Sequence, residues 1–395
     1  MDLKILLLSI DLGHMTHRVQ YLIRFLDKKN IDTKIFDLSF RHENQSIARF
    51  LKTIFLFPSR APISSSKIIH FPSMPTVGSN NSNSSALMHI VFSLLDFLLF
   101  KFISKSLDYN VVVATDPISA FIARAANKKS KTFFVYENLD FFEDLQAGQT
   151  RSKFISILED VALKQANLVV SVSWSLQKRA LLRNSNCIVI PNGADLKYFK
   201  TSQELCRDLS LIYAGSIVEW CGLEVAIKGF ALLRKKIPGI TMTIVGSGAT
   251  QIELEDLVNS LSLENSISFT GKLPYKEMAK YLCKSSVGLA TFKPGKAAAF
   301  ASPLKLFDYM AAGLPIVATD IGNIGKILRD SDSGFAIEWD VDEFVQKTET
   351  LITNGRIWED FHKKGLSYVQ DYDWDKLFGD WLQEIKYRME KQSLS

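Results

Sequence analysis

A lysine and an aspartate three residues apart, at the start of a helical pattern, are the residues of this chain best suited to chemistry. They are Lys305 and Asp308, in the segment SPLKLFDYMAAGLPIVATD that runs from Ser302 to Asp320. Pro303 is tolerated at the beginning of a helix, so the sequence predicts a helix that starts beside it. The lysine and the aspartate then lie on one face, one turn apart.

This arrangement is suited to phosphate and ribose. The start of a helix attracts anions through its unpaired N–H groups and its dipole, and a neighbouring ammonium group strengthens that attraction. A carboxylate one turn further can accept two hydrogen bonds from a ribose diol. Lys305 and Asp308 therefore predict a site for a nucleoside diphosphate. The alternative is an ordinary helix with a solvated lysine and a capping aspartate.

The segment resembles the C-terminal domain signature of GT-B-fold glycosyltransferases that use nucleotide-sugar donors. That signature has two glutamates separated by seven residues, and an Ala-Met-Ala-x-Gly-x-Pro-like run follows the second. Asp308 takes the place of the second glutamate here, and Phe300 takes the place of the first. The Leu304, Lys305 and Asp308 spacing is similar to that of bacterial exopolysaccharide glucuronosyltransferases of the same fold. The resemblance implies that Lys305 is the principal phosphate ligand, with Ser302 and Leu304 beside the donor.

A glycine-containing loop that begins Gly215-Ser216 lies between a predicted strand and a predicted helix in the same half of the chain. Many relatives carry an arginine directly after the first glycine of this loop and a lysine just before its last glycine. Ser216 and Cys221 stand in those two places here. We therefore expect backbone amides near Gly215, with Lys293 or Lys296, to supplement the phosphate site.

Two further turns match the family. Gly248 belongs to a Val-Gly-Ser-Gly turn similar to the family's Val-Gly-x-Gly. Gly271 and Lys272 lie in a stretch that resembles the one whose backbone contacts the nucleobase. Ordinary turns of an α/β fold are the alternative, and neither turn distinguishes uracil from guanine.

Three carboxylates in the first half are candidates for a catalytic base, because each follows a predicted strand. They are Asp116, Glu137 and Asp140. The carboxyl ends of parallel strands are the edge at which such sheets bind ligands. An inverting enzyme needs a base for the acceptor hydroxyl, whereas a retaining one lets the departing phosphate take the proton. We favour Asp140 and Glu137, Asp140 slightly, while Asp116 has the alternative of capping the helix that follows it.

The loop after the first strand contains Gly13 and His14. In the family this loop faces the acceptor or the sugar diphosphate, and glycine would allow close approach of the backbone. His14 and His17 are three residues apart, but no further clustered ligand accompanies them. The sequence therefore predicts no metal and no cofactor.

Apolar strands alternate with helix-period segments through 395 residues, which predicts two doubly wound, Rossmann-like α/β domains facing a cleft, the GT-B fold. Composition is typical of a globular protein, with 47% hydrophobic and 23% charged residues. The four cysteines show no paired short spacing, so neither a zinc ribbon nor a disulfide framework is expected.

A turn cluster at residues 191–195 resembles the interdomain passage of the superfamily. We therefore predict an acceptor-binding domain at residues 1–193 and a nucleotide-sugar-binding domain at residues 194–372. Residues 373–395 are predicted to form a helix that returns to the first domain, or alternatively a surface helix of the second.

The net charge is +5, and the basic excess lies in residues 1–195. A basic domain favours anionic partners such as a membrane surface or a lipid-linked phosphate. Nucleic acid is not expected, because no basic-aromatic cluster accompanies the charge. Residues 86–107 are too polar for a transmembrane span, since Asp96 and Lys101 would each cost about 2.5–3.5 kcal/mol at the bilayer centre. The segment pads the first sheet or lies at the membrane interface.

Together these features predict a glycosyltransferase that transfers a sugar from a nucleoside diphosphate to a glycan or lipid-linked acceptor. UDP-sugar is the preferred donor and GDP-mannose the second. The expected location is the cytoplasmic face of the cell membrane. The alternatives are a catalytically silent partner subunit or nucleotide-sugar sensor, and a nucleotide-sugar epimerase of the same fold.

Overall fold

The computed structural model describes residues 2–9, 17–37, 67–70, 100–101, 104–126, 132–142, 149–199 and 209–394. The chain divides into two compact units. Unit 1 comprises Met1–Ile190 and Phe378–Ser395, and unit 2 comprises Pro191–Leu377. The chain therefore leaves unit 1 at the turn cluster of residues 191–195 and returns to it within the final helix.

Unit 1 contains a parallel sheet of seven strands among its described residues, in the spatial order β3-β2-β1-β4-β5-β6-β7. The strands are β1 Lys4–Ser9, β2 Asp32–Asp37, β3 Lys67–His70, β4 Val111–Ala114, β5 Phe133–Asn138, β6 Leu168–Ser171 and β7 Cys187–Val189. The apolar runs at residues 5–9, 33–38, 111–114, 131–136, 168–172 and 187–190 predict six of them, and β3 is not predicted. β4 is a continuous apolar run with every side chain buried, as expected for a parallel strand covered on both faces.

Among the described residues of unit 1, four helices lie between consecutive strands and one follows all of them. They are α1 His17–Lys28, α2 Pro117–Ala126, α3 Gln149–Gln165, α4 Trp174–Leu181 and, from Phe378 onward, the last helix, Trp374–Leu394. Of the segment at residues 86–107, the described part includes Phe100, which is fully buried and meets the ring of Phe36 edge-on at 5.1 Å. None of the helices within the described ranges has the length and apolar character that a membrane crossing needs.

Unit 2 contains a six-stranded parallel sheet in the order β10-β9-β8-β11-β12-β13. The strands are β8 Ser210–Ala214, β9 Thr241–Val245, β10 Ile267–Gly271, β11 Val287–Ala290, β12 Ile316–Thr319 and β13 Gly334–Ile337. The helices between and after them are α5 Leu223–Lys236, α6 Gln251–Ser260, α7 Tyr275–Cys283, α8 Lys296–Phe300, α9 Leu304–Ala311, α10 Gly322–Ser331, α11 Val341–Thr353 and α12 Gly355–Tyr368. Both sheets confirm the predicted doubly wound α/β class.

The order of strands reverses at one point in each sheet. In unit 2, β9 and β10 lie on one side of β8, and β11, β12 and β13 lie on the other. In unit 1 the corresponding reversal falls between β1 and β4. Loops at the carboxyl ends of the strands diverge at such a switch point, and doubly wound proteins bind ligands there. The site in unit 2 is therefore expected between the ends of β8 and β11.

Candidate functional site

The loops that follow β8 and β9 contact each other through their backbones. The Gly215 N–H donates to the carbonyl of Val245 at 2.9 Å. A Cβ atom on Gly246 would lie 1.8 Å from the carbonyl oxygen of Gly215, and both glycines have positive φ angles, 139° and 149°. Only glycine permits this approach, so the Gly215 loop lies tightly against the sheet edge.

Lys305 lies at the switch point, in the first turn of α9. Its Nζ is 3.7 Å from the ring centroid of Tyr213, which belongs to β8. It is also 4.9 Å from the ring centroid of Phe292, which follows β11 by two residues. A Cβ atom on Gly215 would lie 2.9 Å from the same Nζ. The ammonium group therefore lies between the two strand ends and beside the glycine loop.

This ammonium group lacks an ionic partner among the described residues, none of which places a carboxylate within 4.0 Å of it. Its contacts are aromatic faces, which attract a cation but do not neutralise it. Desolvation lowers the pKa of Lys305 to about 8, below its ordinary value of 10.5. An anion bound beside Lys305 would reverse that penalty.

Asp308 lies one turn further along α9 and is 7% exposed. Its Oδ1 accepts a hydrogen bond of 2.5 Å from the hydroxyl of Tyr275. Desolvation, which is the largest cause, raises the pKa of Asp308 from 3.8 to about 7, and the nearby charge of Asp195 acts in the same direction. The predicted ribose ligand is thus a buried carboxyl with one fixed hydrogen-bond donor.

The neighbouring Tyr309 explains why α9 lies over the switch point. Its hydroxyl donates to the carbonyl of Leu289 in β11 at 3.0 Å and accepts the N–H of Ala214 in β8 at 2.9 Å. The side chain is fully buried. Tyr309 thus joins the helix to the two strands that diverge there, and this fixes the positions of Lys305 and Asp308.

The other predicted donor-side residues lie around this centre. Ser302 is buried, and its carbonyl accepts a hydrogen bond of 2.6 Å from the side-chain amide of Asn192. Leu304 is partly exposed in the first turn of α9. Ser216 is exposed, and its carbonyl accepts a hydrogen bond of 2.5 Å from Tyr213.

The turns after β9 and β10 have different surroundings. A Cβ atom on Gly248 would lie 2.1 Å from the carbonyl oxygen of Ile217, so this glycine packs directly on the loop after β8. Gly271, at a φ of 71°, has open space where a side chain would be, and Lys272 beside it is exposed. Gly271 also joins the loop cluster, because its carbonyl accepts the Gly246 N–H at 2.9 Å.

The lysines expected to supplement Lys305 lie elsewhere. Lys293 forms a 2.7 Å ion pair with the exposed Glu219, and this carboxylate raises the lysine pKa. Lys296 is exposed at the start of α8. Cys221, in the place of the family's lysine, is a buried free thiol.

Asp140 in unit 1 has the properties of a general base. It follows β5 and is partly buried. Desolvation raises the pKa of Asp140 from 3.8 to about 7. Within the described part of the chain, no hydrogen bond or ion pair to its carboxylate is formed. A carboxylate with a pKa near neutrality and open acceptor positions is suited to taking a proton from a hydroxyl group.

Glu137 and Asp116 are engaged by groups of the protein, which favours structural roles, and their assignment as catalytic bases stays a prediction. The buried carboxylate of Glu137 accepts from the Arg18 guanidinium at 3.1 Å and from the Trp381 indole N–H at 2.6 Å. One oxygen of Asp116 accepts the backbone N–H groups of Ile118 and Ser119, the other accepts the Ser119 hydroxyl, and so Asp116 caps helix α2. Carboxylates with both oxygens engaged are poorly placed to receive a proton from substrate.

The Glu137 contact also anchors the last helix, because Trp381 is fully buried within unit 1. Arg18 lies over the ring of Phe378 from the same helix, with 5.5 Å between its Cζ and the ring centroid. Pairing inside the protein offsets the desolvation of these charges only when their hydrogen bonds are satisfied. The network therefore fixes the Phe378–Ser395 segment to β5.

Comparison with known proteins relates this chain to glycosyltransferases. The family model of glycosyl transferases group 1 matches residues 208–354, which contain all of the Lys305 site except Asn192 and Asp195. The chain is also 23% identical over 281 residues to an uncharacterized glycosyltransferase of Haemophilus influenzae, which covers 70% of this chain and 76% of that protein. Residues 208–354 therefore form a group 1 glycosyl transferase domain, and the chain is a glycosyltransferase.

Solved structures extend the similarity over the whole glycosyltransferase. Anabaena HepE, crystallised with UDP, matches 98% of this chain and 100% of its own with a TM-score of 0.70 and 16% identity. Sucrose-phosphate synthase of Thermosynechococcus elongatus matches 100% of both chains with a TM-score of 0.73 and 16% identity. These similarities confirm the predicted GT-B fold.

Two of the predicted residues of this glycosyltransferase cannot be compared with the structure, and three residues of the site were not predicted. Gly13 and His14 lie outside the described residues, so their acceptor-side role stays a prediction. Three tyrosines were missed, namely Tyr213, Tyr275 and Tyr309. Tyr213 and Tyr309 lie in apolar stretches typical of a core, Tyr275 begins a polar helix, and no sequence signal distinguishes a tyrosine whose hydroxyl orients a site. Within the described ranges, no cluster of three His, Cys, Asp or Glu side chains could hold a metal ion.

Proposed function

We propose that this glycosyltransferase transfers a sugar from a UDP-sugar to a hydroxyl group of a glycan or lipid-linked acceptor, in the synthesis of cell-surface polysaccharide or glycoconjugate. The observation that carries the proposal is the Lys305 ammonium group, which lies at the switch point of unit 2 without a carboxylate partner among the described residues. HepE, with which the chain shares its fold, was crystallised with UDP.

The donor diphosphate would bind beside Lys305. The ammonium group neutralises phosphate charge, while the Gly215 loop and the N-terminus of α9 supply N–H dipoles. Asp308, held by Tyr275, accepts hydrogen bonds from the ribose hydroxyls. Charge that develops on the leaving UDP is thus stabilised by groups already in place, which supplies transition-state stabilisation without a reorganisation penalty.

In the transfer step, the acceptor oxygen forms a bond to the anomeric carbon of the sugar while the bond from that carbon to the phosphate oxygen breaks. The electron pair of the broken bond leaves with UDP. In an inverting reaction Asp140 takes the acceptor proton, and in a retaining reaction the departing phosphate takes it. With a pKa of about 7, Asp140 is partly ionised at neutral pH and could take that proton in an inverting reaction.

The acceptor class is supported by charge. Residues 1–195 contain 23 Lys and Arg against 16 Asp and Glu, so this half of the chain would favour an anionic lipid surface or a polyprenyl diphosphate. We propose a location on the cytoplasmic face of the membrane. Cosedimentation with vesicles containing anionic lipid, compared with purely zwitterionic vesicles, tests this, and equal binding to both would contradict it.

The donor site is tested with Lys305→Met. We expect UDP affinity to fall about ten- to a hundredfold, because hydrogen bonds to charged groups contribute about 1.5–3 kcal/mol. Lys228→Met is the matched control, since Lys228 is exposed on α5. Calorimetric titration with UDP and with GDP measures both affinity and base preference. Unchanged UDP affinity in Lys305→Met would remove the basis of the proposal.

The base is tested separately with Asp140→Asn. Turnover should fall by about 10²–10⁴-fold, the usual contribution of a general base, while UDP affinity stays at the wild-type value. Release of UDP from a panel of UDP-sugars, with and without membrane extract, gives the rates. Retained turnover would exclude Asp140 as base and leave the retaining route.

A further inference from the structure

Tyr275, the first residue of α7, lies between the predicted ribose ligand and the segment by which the chain enters unit 2. Its hydroxyl donates to Asp308 Oδ1 at 2.5 Å. The same hydroxyl accepts the backbone N–H of Asp195 at 3.5 Å. One phenol group therefore links the donor-site carboxyl to the beginning of the unit.

The ring of Tyr275 is held independently of its hydroxyl. It meets the ring of Tyr198 nearly edge-on, with centroids 5.3 Å apart, and that of Phe199 at 6.2 Å. Both partners belong to the short segment that follows Asp195. Removal of the hydroxyl alone should therefore leave the ring, and with it the local fold, in place.

The carboxyl of Asp308 depends on this hydroxyl. Within the described residues, Tyr275 is the single side-chain or backbone group that donates to it. The charge of Asp195, itself paired with Lys197 at 2.7 Å, opposes ionisation of Asp308. Desolvation acts in the same direction, and the hydrogen bond from Tyr275 opposes both by lowering the pKa of Asp308.

The other titratable side chains of α9 are Tyr309 and Lys305. Tyr309 is buried with its hydroxyl bonded to β8 and β11, so that hydroxyl is already engaged. Lys305, one turn earlier, forms no ion pair with Asp308. No described cation therefore replaces Tyr275 in stabilising the ionised carboxylate.

We propose that Tyr275 is a positioning residue for the donor, whose hydroxyl holds Asp308 in the ionised form and orientation that accept the ribose hydroxyls. The inference rests on the proposed function, because it takes Asp308 as a donor ligand. By this proposal, Tyr275 on α7 affects donor affinity indirectly, through its hydrogen bond to Asp308 on α9. A purely structural tyrosine would affect stability, whereas this one sets the pH at which the donor binds.

The test is UDP affinity as a function of pH for wild type, Tyr275→Phe and the control Tyr281→Phe. Tyr281 lies on the same helix and is 43% exposed. If loss of the hydrogen bond raises the Asp308 pKa by about one unit, the ratio of variant to wild-type Kd is about tenfold at pH 6 and about one at pH 9. The ionisation of UDP itself cancels in that ratio. The control should give a ratio of one throughout.

A ratio for Tyr275→Phe that stays constant with pH, or that equals one at pH 6, overturns the inference. A second variant keeps the result specific. In an Asp308→Asn background, where no carboxyl titrates, Tyr275→Phe should have no pH-dependent effect. Failure of the proposed function is recognised by a different experiment, since it predicts unchanged UDP affinity in the Lys305→Met variant. If Asp308→Asn also leaves UDP affinity unchanged, both proposals are overturned.

Discussion

Replacement of Asp308 by asparagine should stabilise the unliganded protein at alkaline pH. The wild-type carboxyl is 7% exposed, and its pKa is raised from 3.8 to about 7. Asparagine removes the charge but keeps an oxygen that accepts the hydrogen bond from Tyr275. The substitution therefore removes the unfavourable ionisation while preserving the contact that orients the side chain.

The sign follows from proton binding. Because the folded protein binds this proton more tightly than the unfolded chain does, stability is highest below about pH 4 and is lost as the pH rises toward 7. The full loss is about 4 kcal/mol, at 1.36 kcal/mol for each unit of pKa. By the same linkage, the advantage of Asp308→Asn over wild type should grow by about 2.5 kcal/mol between pH 5 and pH 8.

Urea unfolding at pH 5 and pH 8 measures this difference, with hydrogen exchange of peptides from β8 and β11 to report on unit 2. Asp256→Asn is the matched control, since Asp256 is exposed on α6 of the same unit. A stability difference between Asp308→Asn and wild type that is the same at both pH values would refute the reasoning. The stabilised variant should bind UDP more weakly, which is the usual trade-off at a functional site.

Three further substitutions test other parts of the structure. Trp381→Phe removes the N–H that donates to buried Glu137. It should therefore lower the free energy of unfolding by about 1–3 kcal/mol and make the last helix sensitive to limited proteolysis. Unchanged protease resistance would contradict the proposed anchoring of that helix. Gly215→Ala places a methyl group 2.9 Å from the Nζ of Lys305, on a residue with a φ of 149°. UDP affinity, measured by calorimetry, should therefore fall about tenfold. Wild-type affinity would mean that the ammonium group is not held beside Gly215. Asp116→Ala should destabilise the protein by about 0.5–2 kcal/mol through loss of the helix cap while turnover of the folded enzyme persists, whereas abolished turnover would restore it as a base candidate.

The architecture could be read largely from local patterns. Buried parallel strands are short apolar runs, and of the thirteen strands in the described part of the chain, twelve lie where such runs predict them. The exception, β3, is a four-residue strand, Lys67–His70. Its pattern is too short to separate from the polar sequence around it. The helix that carries Lys305 and Asp308 was equally clear, because proline, charge spacing and apolar periodicity agree there.

The candidate bases show where this reading fails. Asp116, Glu137 and Asp140 each come at or just after the end of a strand, so position along the chain alone does not show which of them is engaged by other groups. Their differences arise from residues distant in the chain. Glu137 is engaged by Arg18 and Trp381, 119 and 244 positions away. No local pattern encodes such partners.

The sequence by itself determined the two α/β domains, the turn between them and the lysine and aspartate at the start of one helix, because each depends on residues close together in the chain. Only the tertiary structure decided the electrostatic state of those groups. Burial against Tyr213 and Phe292 lowers the pKa of Lys305, and Tyr275 together with desolvation sets that of Asp308. Such shifts depend on which atoms exclude water from a charge, and that exclusion exists only after distant segments have packed together.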